Sequence, residues 1–459
     1  MAGDRGPQNP RRKAAMTHRR HFLKSLISLP LLGTALPAWA QGNAVDAADL
    51  GLVPDSNDDQ TAALQRAVNE AANAGRGVYI SPGTYRIASL DLPDGTFMTG
   101  SSGGTTRFLV SGDAPGMVFK GGDRLALNNL AIEGLSSAGA PREGLIAIGN
   151  ARDLSLDRVR VAGGAGHGIG LWRSGGVISD CEIESTAQSG IFANDSTGLR
   201  ITGNRVADCS NGGILVWRNE KGYDGTIVTG NRISGIDWLG GGNGQNGNGI
   251  NVFRAGGVII SDNVMTDCAF SAVRLNSTSD CLITGNLARG LGEVAIFSEF
   301  GFDGSVIADN IVDDAAIGIS ITNFDSGGRL ATCSGNVVRN IKSGSPVNPD
   351  THPVGIGVEA DIAVTGNTID TVPGFGMVVG WGPFLRNVAV TGNMIRAVNV
   401  GIGVSVAENA GTALVSGNVI AEVADTAIAG MRWTEMAERD LQAASDRYPQ
   451  LTVVANQFS

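Results

Sequence analysis

A short phrase recurs down this chain and constrains its fold more than any other feature. It reads Ile201-Thr202-Gly203-Asn204 in one full copy: a β-branched residue, then Thr or Ser, then Gly or Asp, then Asn. Later copies end at Asn231, Asn263, Asn286, Asn310, Asn336, Asn367, Asn393 and Asn418, at separations of 23 to 32 residues. Weaker copies end at Asn128, Asp157, Cys181 and Asn456. Roughly ten residues after each Asn comes a second phrase, such as Gly190-Ile191, Gly213-Ile214, Gly249-Ile250 or Gly401-Ile402. Both phrases are short alternating apolar runs, which is the period of a strand and not of a helix. A unit of this length with two or three strands divided by Gly turns predicts an all-β parallel solenoid of roughly 12 to 13 coils over residues 41–459. Stacked in register, each inward Asn can bond the Asn of the next coil, so these residues read as architecture.

Composition removes the competing classes. Gly supplies 67 of 459 residues without a three-residue period, so a collagen helix is excluded, and the 42% hydrophobic content argues against disorder. The net charge of -10 hides a split: after residue 40 the chain carries 27 bases against 43 acids. Such a body repels polyphosphate, so no nucleic-acid partner is expected. Five Cys are sparse and odd in number and the four His are scattered, so neither a disulfide framework nor a metal site is predicted. Buried thiols are expected instead. The calcium repeat Gly-Gly-x-Gly-x-Asp is missing; calcium stays open, and no cofactor is predicted.

The basic excess lies in the first forty residues. Arg19-Arg20-His21-Phe22-Leu23-Lys24 precedes a moderately apolar run that ends in Ala38-Trp39-Ala40, a small-x-small cleavage site. Pro30 and Gly33 interrupt the run, which is too short to span a bilayer. Arg19 and Arg20 with the following Phe-Leu-Lys resemble the twin-arginine export signal, which implies the twin-arginine machinery as a partner and a bacterial periplasmic or secreted location. Met16 is an equally good start, so residues 1–15 read as a mis-assigned beginning. No transmembrane segment is expected after cleavage.

Solenoid ends need caps. Asp58-Asp59 opens a helical pattern with Ala63, Leu64, Ala67, Val68 and Ala71 on one face and Gly75 behind it, which places an N-terminal cap helix within 55–75. Residues 434–447 have helical composition and predict a second helix before the last strand. Capped ends need no second copy, so a monomer is expected.

The stretch from Asp55 to Tyr85, with Asp-Asp before the helix and Gly-Val-Tyr-Ile-Ser-Pro-Gly-Thr-Tyr after it, resembles the start of pectate-lyase-like right-handed β-helix proteins. The leader and the Gly-Asn coils together also resemble a family of twin-arginine-translocated repeat proteins. The first resemblance implies a right-handed coil and action on polysaccharide by lyase, hydrolase or epimerase chemistry. It leaves the reaction open, because one fold hosts several.

Alternation places side chains one, three and four residues after each Gly-Ile on one outer strip. In the middle coils this strip offers Trp172, Arg173, Asn194, Trp217, Asn251, Phe253, Asn276 and Glu299 for binding a glycan, together with Phe192 and Phe297. Aromatic faces stack on sugars while amides, arginines and carboxylates bind hydroxyls and acids. Arg218, Arg254 and Arg274 would form a local basic patch about 5 Å apart, favouring an acidic glycan. For a lyase or epimerase they would neutralise a uronate, with Tyr223, His167 or an arginine moving the proton. For a hydrolase the carboxylates on offer are Asp195 and Glu220. Insertions at 218–225, 240–249 and 343–353 would wall the groove. The Asp-Pro-His of alginate epimerases is absent, as is the Asp-Asp, Gly-His-Gly and Arg-x-Lys set of polygalacturonases. Ala165-Gly166-His167-Gly168 is a partial echo, and His167 there reads first as a turn residue. The alternative to an enzyme is a noncatalytic protein that binds or organises envelope glycan.

Overall fold

Short apolar runs between glycine corners are too brief to bury a face alone, so each pairs with the same run one turn later. Ile201, Val228, Ile260, Ile283 and Ile307 stack in one such column, every one fully buried. Val206, Ile233, Met265, Ala288 and Val312 form a second. Ile169, Ile191, Ile214, Ile250, Val273 and Ile296 form a third. The three columns are the inner faces of three parallel sheets around a single core. The computed structural model describes residues 44–135, 143–242, 244–322 and 327–459. They wind as a right-handed parallel β-solenoid of about 13 turns. Arg19, Arg20, Ala38 and Ala40 lie outside the described residues.

The repeated Asn residues form the predicted ladder. Asn204 donates from its backbone N–H (2.9 Å) and its Nδ2 (3.0 Å) to Asn231 Oδ1, and its Nδ2 also reaches the Ile178 carbonyl. The same pattern links Asn231 to Asn263, Asn263 to Asn286, and so on to Asn418 and Asn456. The residue before each Asn turns the corner in the left-handed region, with φ of 69° at Gly203 and 58° at Asp262, which explains the Gly-or-Asp choice.

The weak early copies differ from expectation. Asp157 pairs with Ser179, and Ser179 with Thr202, so Asn128 and Asp157 stand two residues ahead of the ladder position. Leu130, Val159 and Cys181 occupy the position itself, all buried. Apolar side chains there need no partners, and the ladder starts where the Cys181 N–H donates to Asn204 Oδ1 at 2.9 Å.

The caps divide into one success and one correction. The first helix runs Thr61–Asn73, burying Leu64, Ala67, Val68 and Ala71 over the first coil, with Asp59 Oδ1 accepting from the Thr61 N–H. Residues 434–447 do not form a helix: Glu435–Glu438 returns antiparallel to the strand Val419–Arg432, and Ser445–Arg447 makes one 3₁₀ turn. The last coil leaves an open strand edge, and an antiparallel return pairs that edge where a helix would leave it bare. Gln442 then accepts from Asn456 Nδ2 at 3.0 Å, ending the ladder where the next coil would have supplied an Asn.

All five cysteines are buried and unpaired, and burial pushes thiols such as Cys181 up to about 12. Among the described residues no helix is long and apolar enough to cross a membrane, and no His, Cys, Asp and Glu cluster is arranged for a metal.

Candidate functional site

The outer face of the third sheet carries two side-chain columns. Phe192, Leu215, Asn251, Arg274 and Phe297 stack in one, and Trp172, Asn194, Trp217, Phe253, Asn276 and Glu299 in the other. These are the positions one and three residues after the buried Ile, so the expected inside/outside register holds. The aromatic rings meet edge to face. Trp172 and Phe192 lie 6.0 Å apart, Phe192 and Trp217 5.5 Å, and Trp217 and Phe253 5.9 Å. Trp217 Nε1 donates to Asn251 Oδ1 at 2.7 Å, fixing the indole.

Two inserted segments wall this platform. The segment 240–248 supplies Gly244, Gln245 and Asn246, and the long strand Gly212–Tyr223 supplies Asn219. Two clefts result, of about 590 and about 380 Å³, joined at Trp217. The larger is lined by His167, Trp172, Gln188, Ser189, Phe192, Asn194, Asn211, Leu215, Trp217, Asn219 and Asn246, with no Asp, Glu, Lys or Arg among the described residues. The smaller contains Phe253, Asn276, Arg274 and Glu299.

Among the described lining residues, the charged pair of the groove is Arg274 and Glu299. Arg274 is 7% exposed and gives Glu299 two bonds, from Nε at 2.8 Å and Nη2 at 3.0 Å. Its Nη1 reaches Glu293 at 3.2 Å. Asn276 Nδ2 adds a third bond to Glu299, and Asn348 Nδ2 binds Glu293. Burial pushes the Glu293 carboxyl up, with the Arg274 charge working in the opposite direction. Gly244 packs directly on this guanidinium: a Cβ there would lie 2.5 Å from Arg274 Cζ.

Of the residues four after the Ile, Phe300 lines the smaller cleft, whereas Arg173, Asp195 and Arg254 do not join the platform. Arg173, Asp195 and Arg254 take left-handed φ of 49°, 49° and 58°, and the chain turns its corner there. Arg173 bonds Asn150, and Asp195 accepts from the N–H and Nδ2 of Asn219. Arg254 lies over its neighbour Phe253 and donates to the Asn219 carbonyl. Arg218 is half-buried, donates to the Ser196 carbonyl and stands 3.9 Å from buried Asp224, whose carboxyl burial raises. Glu220 and Tyr223 are exposed, and neither lines the groove. The expected patch of three arginines is therefore not assembled. Arg274 sits in the sheet, Arg254 at the corner and Arg218 in the long strand Gly212–Tyr223 against Asp224, and the Arg274 charge is offset by two glutamates.

His167 is the reverse case. Its ring stacks on Phe192 at 4.6 Å and lines the larger cleft. Nδ1 accepts from the Ser189 N–H at 3.2 Å and lies 2.6 Å from Ser189 Oγ. Burial lowers its pKa to about 4, so the ring is neutral at pH 7. Gln188, Asn211, Gln245 and Asn246 also line the groove without having been singled out in the sequence. Gln245 and Asn246 arrive on an insertion, for which the repeat carries no signal, whereas Gln188 and Asn211 each stand two residues before their coil's Gly-Ile phrase, a position the repeat offered.

Family and structural comparisons agree on the architecture. The family described as right handed beta helix region matches residues 94–246 and 167–340, and the family described as rhamnogalacturonase A/epimerase, pectate lyase-like, matches 44–119. A search of curated proteins returns no significant match. Among solved structures, the catalytic unit of a thermostable GH87 α-1,3-glucanase from Streptomyces thermodiastaticus is 16% identical, with a TM-score of 0.50, over 92% of this chain and 70% of that one. Tailspike protein 3 of bacteriophage CBA120 is 14% identical, with a TM-score of 0.50, over 86% of this chain and 62% of that one. At such identities the likeness is one of fold.

Proposed function

Because the chain belongs to the pectate-lyase-like right-handed β-helix superfamily, we propose that the groove from Trp172 to Glu299 binds a polysaccharide laid along the solenoid axis, and that this glycan is neutral. The observation that carries the reading is the lining of the larger cleft. Stacked rings and amides are present without a charged side chain, and the one histidine is held neutral. Rings stack on the C–H faces of sugars, and amides exchange hydrogen bonds with hydroxyls; a uronate would need a free cation. The acidic glycan expected from the sequence rested on three arginines acting together, and they do not. The likeness to an α-1,3-glucanase unit is in line with a neutral chain.

Binding is the activity proposed. Of the residues expected to do chemistry, Asp195 and Glu220 stand off the lining, while Glu299, expected to bind the glycan, spends its oxygens on Arg274 and Asn276. Titration calorimetry with neutral glucans and with uronate polymers tests the proposal. Neutral chains should bind, and Trp217→Ala should weaken them about thirtyfold with an unchanged circular dichroism spectrum. Preference for uronates, or full affinity in Trp217→Ala, would overturn it. New reducing ends in the same samples would add catalysis to binding.

We also infer export through the twin-arginine route to the periplasm or beyond, on the strength of Arg19, Arg20, Ala38 and Ala40. Replacing both arginines with Lys should leave the chain in the cytoplasmic fraction; normal export of that variant would refute the route.

A further inference from the structure

We propose that a second cleft, on the C-terminal coils of the same face, binds an organic cation: an ammonium group carried on an apolar body. This cleft has a volume of about 520 Å³. It is lined by Val378 and Phe375 and by Trp381 and Trp433, rings 5.6 Å apart at 80°. Both indoles are substantially exposed, at 39% and 47%.

The box is built rather than incidental. The turn Gly382–Phe384 packs against Trp433, and a Cβ on Gly382, whose φ is 55°, would lie 2.4 Å from the indole. Phe384 meets the same ring edge to face at 6.3 Å. Ser405 Oγ holds the turn through the Gly382 carbonyl at 2.7 Å.

Charge then selects the ligand. The lining includes Asp350, Glu359 and His352, and no Lys or Arg among the described residues. Asp350 and His352 arrive on the insertion 343–353, which folds back over earlier coils through Ser345 to the Gly292 carbonyl and Asn348 to Glu293. Asp350 lines the same cleft as the exposed indole faces, and a carboxylate and indole faces together attract a cation by Coulomb and cation–π terms and repel an anion. The shared chemistry has two sources, a free quaternary amine or a deacetylated amino sugar. The proposal stands independently of the glycan groove, which shares no described lining residue with this cleft.

Calorimetry with choline and with its neutral isostere 3,3-dimethylbutan-1-ol tests it, alongside glucosamine and N-acetylglucosamine oligomers. Choline or the glucosamine oligomer should bind about tenfold more tightly than its uncharged counterpart. Preference for choline assigns the free amine, and preference for the oligomer assigns the amino sugar. Trp433→Ala should abolish the binding. Asp350→Asn, on an exposed loop, should weaken the cation and leave the isostere unchanged, which serves as the readout if Trp433→Ala fails to fold. Equal affinity for charged and uncharged partners, or no binding of either cation, would overturn the proposal.

Discussion

His167 shows how one burial changes a residue's meaning. In the sequence it is a histidine in a Gly-rich turn; in the fold it stacks on Phe192 and loses its proton to desolvation. An unfolded histidine binds a proton near pH 6.5, whereas this one does so only at about 4. Between those values the unfolded chain holds a proton that the folded chain lacks. Stability therefore falls as pH drops from about 6.5 to 4 and is unaffected by this group above that window. His167→Gln should remove that part of the dependence, seen as a shallower change in urea midpoint between pH 7 and pH 4. An identical slope in both proteins would show that the ring titrates as if exposed. Arg274 shows the opposite lesson: its place on the outer face was legible from alternation, but its two glutamate partners, 19 and 25 residues along the chain, were not.

At the scale of elements, the Asn ladder is the device that lets a polar residue recur inside a core. Each Oδ1 accepts two bonds and each Nδ2 donates into the neighbouring coils, so a single deletion strands groups on both sides. Asn286→Ala would orphan the N–H of Asn263 and take one of two partners from its Nδ2, which keeps the Val228 carbonyl; both groups bond Asn286 Oδ1 at 3.0 Å. With about 1–3 kcal/mol for each buried group left unpaired, a loss of about 3 kcal/mol is expected in urea unfolding. Asn194→Ala, on the outer face of the third sheet, should cost less than about 1 kcal/mol. Equal losses would mean that the ladder carries no special weight. The ladder was readable because the phrase repeats. Its absence from the early coils was not, since Asn128 and Asp157 imitate the phrase two residues out of step while Leu130 and Val159 fill the place. The second helix failed for a related reason. Composition favoured it, but the exposed edge of the final coil offered backbone partners to a returning strand.

Across the whole molecule, one face of one sheet collects both clefts, because a solenoid places the same repeat position above itself turn after turn. The sequence alone determined that much: the coil of two or three strands, the inward Asn, the outward aromatic strip and the N-terminal cap all follow from a period, and a period is local information. Tertiary structure alone decided which charges meet, where the insertions land and how the last coil closes. Those outcomes depend on side chains brought together across several turns and on loops of irregular length. Electrostatic pairing and edge satisfaction act through space, so no spacing along the chain could announce that Arg274 would be neutralised or that Asp350 would come to line a cleft beside two tryptophans.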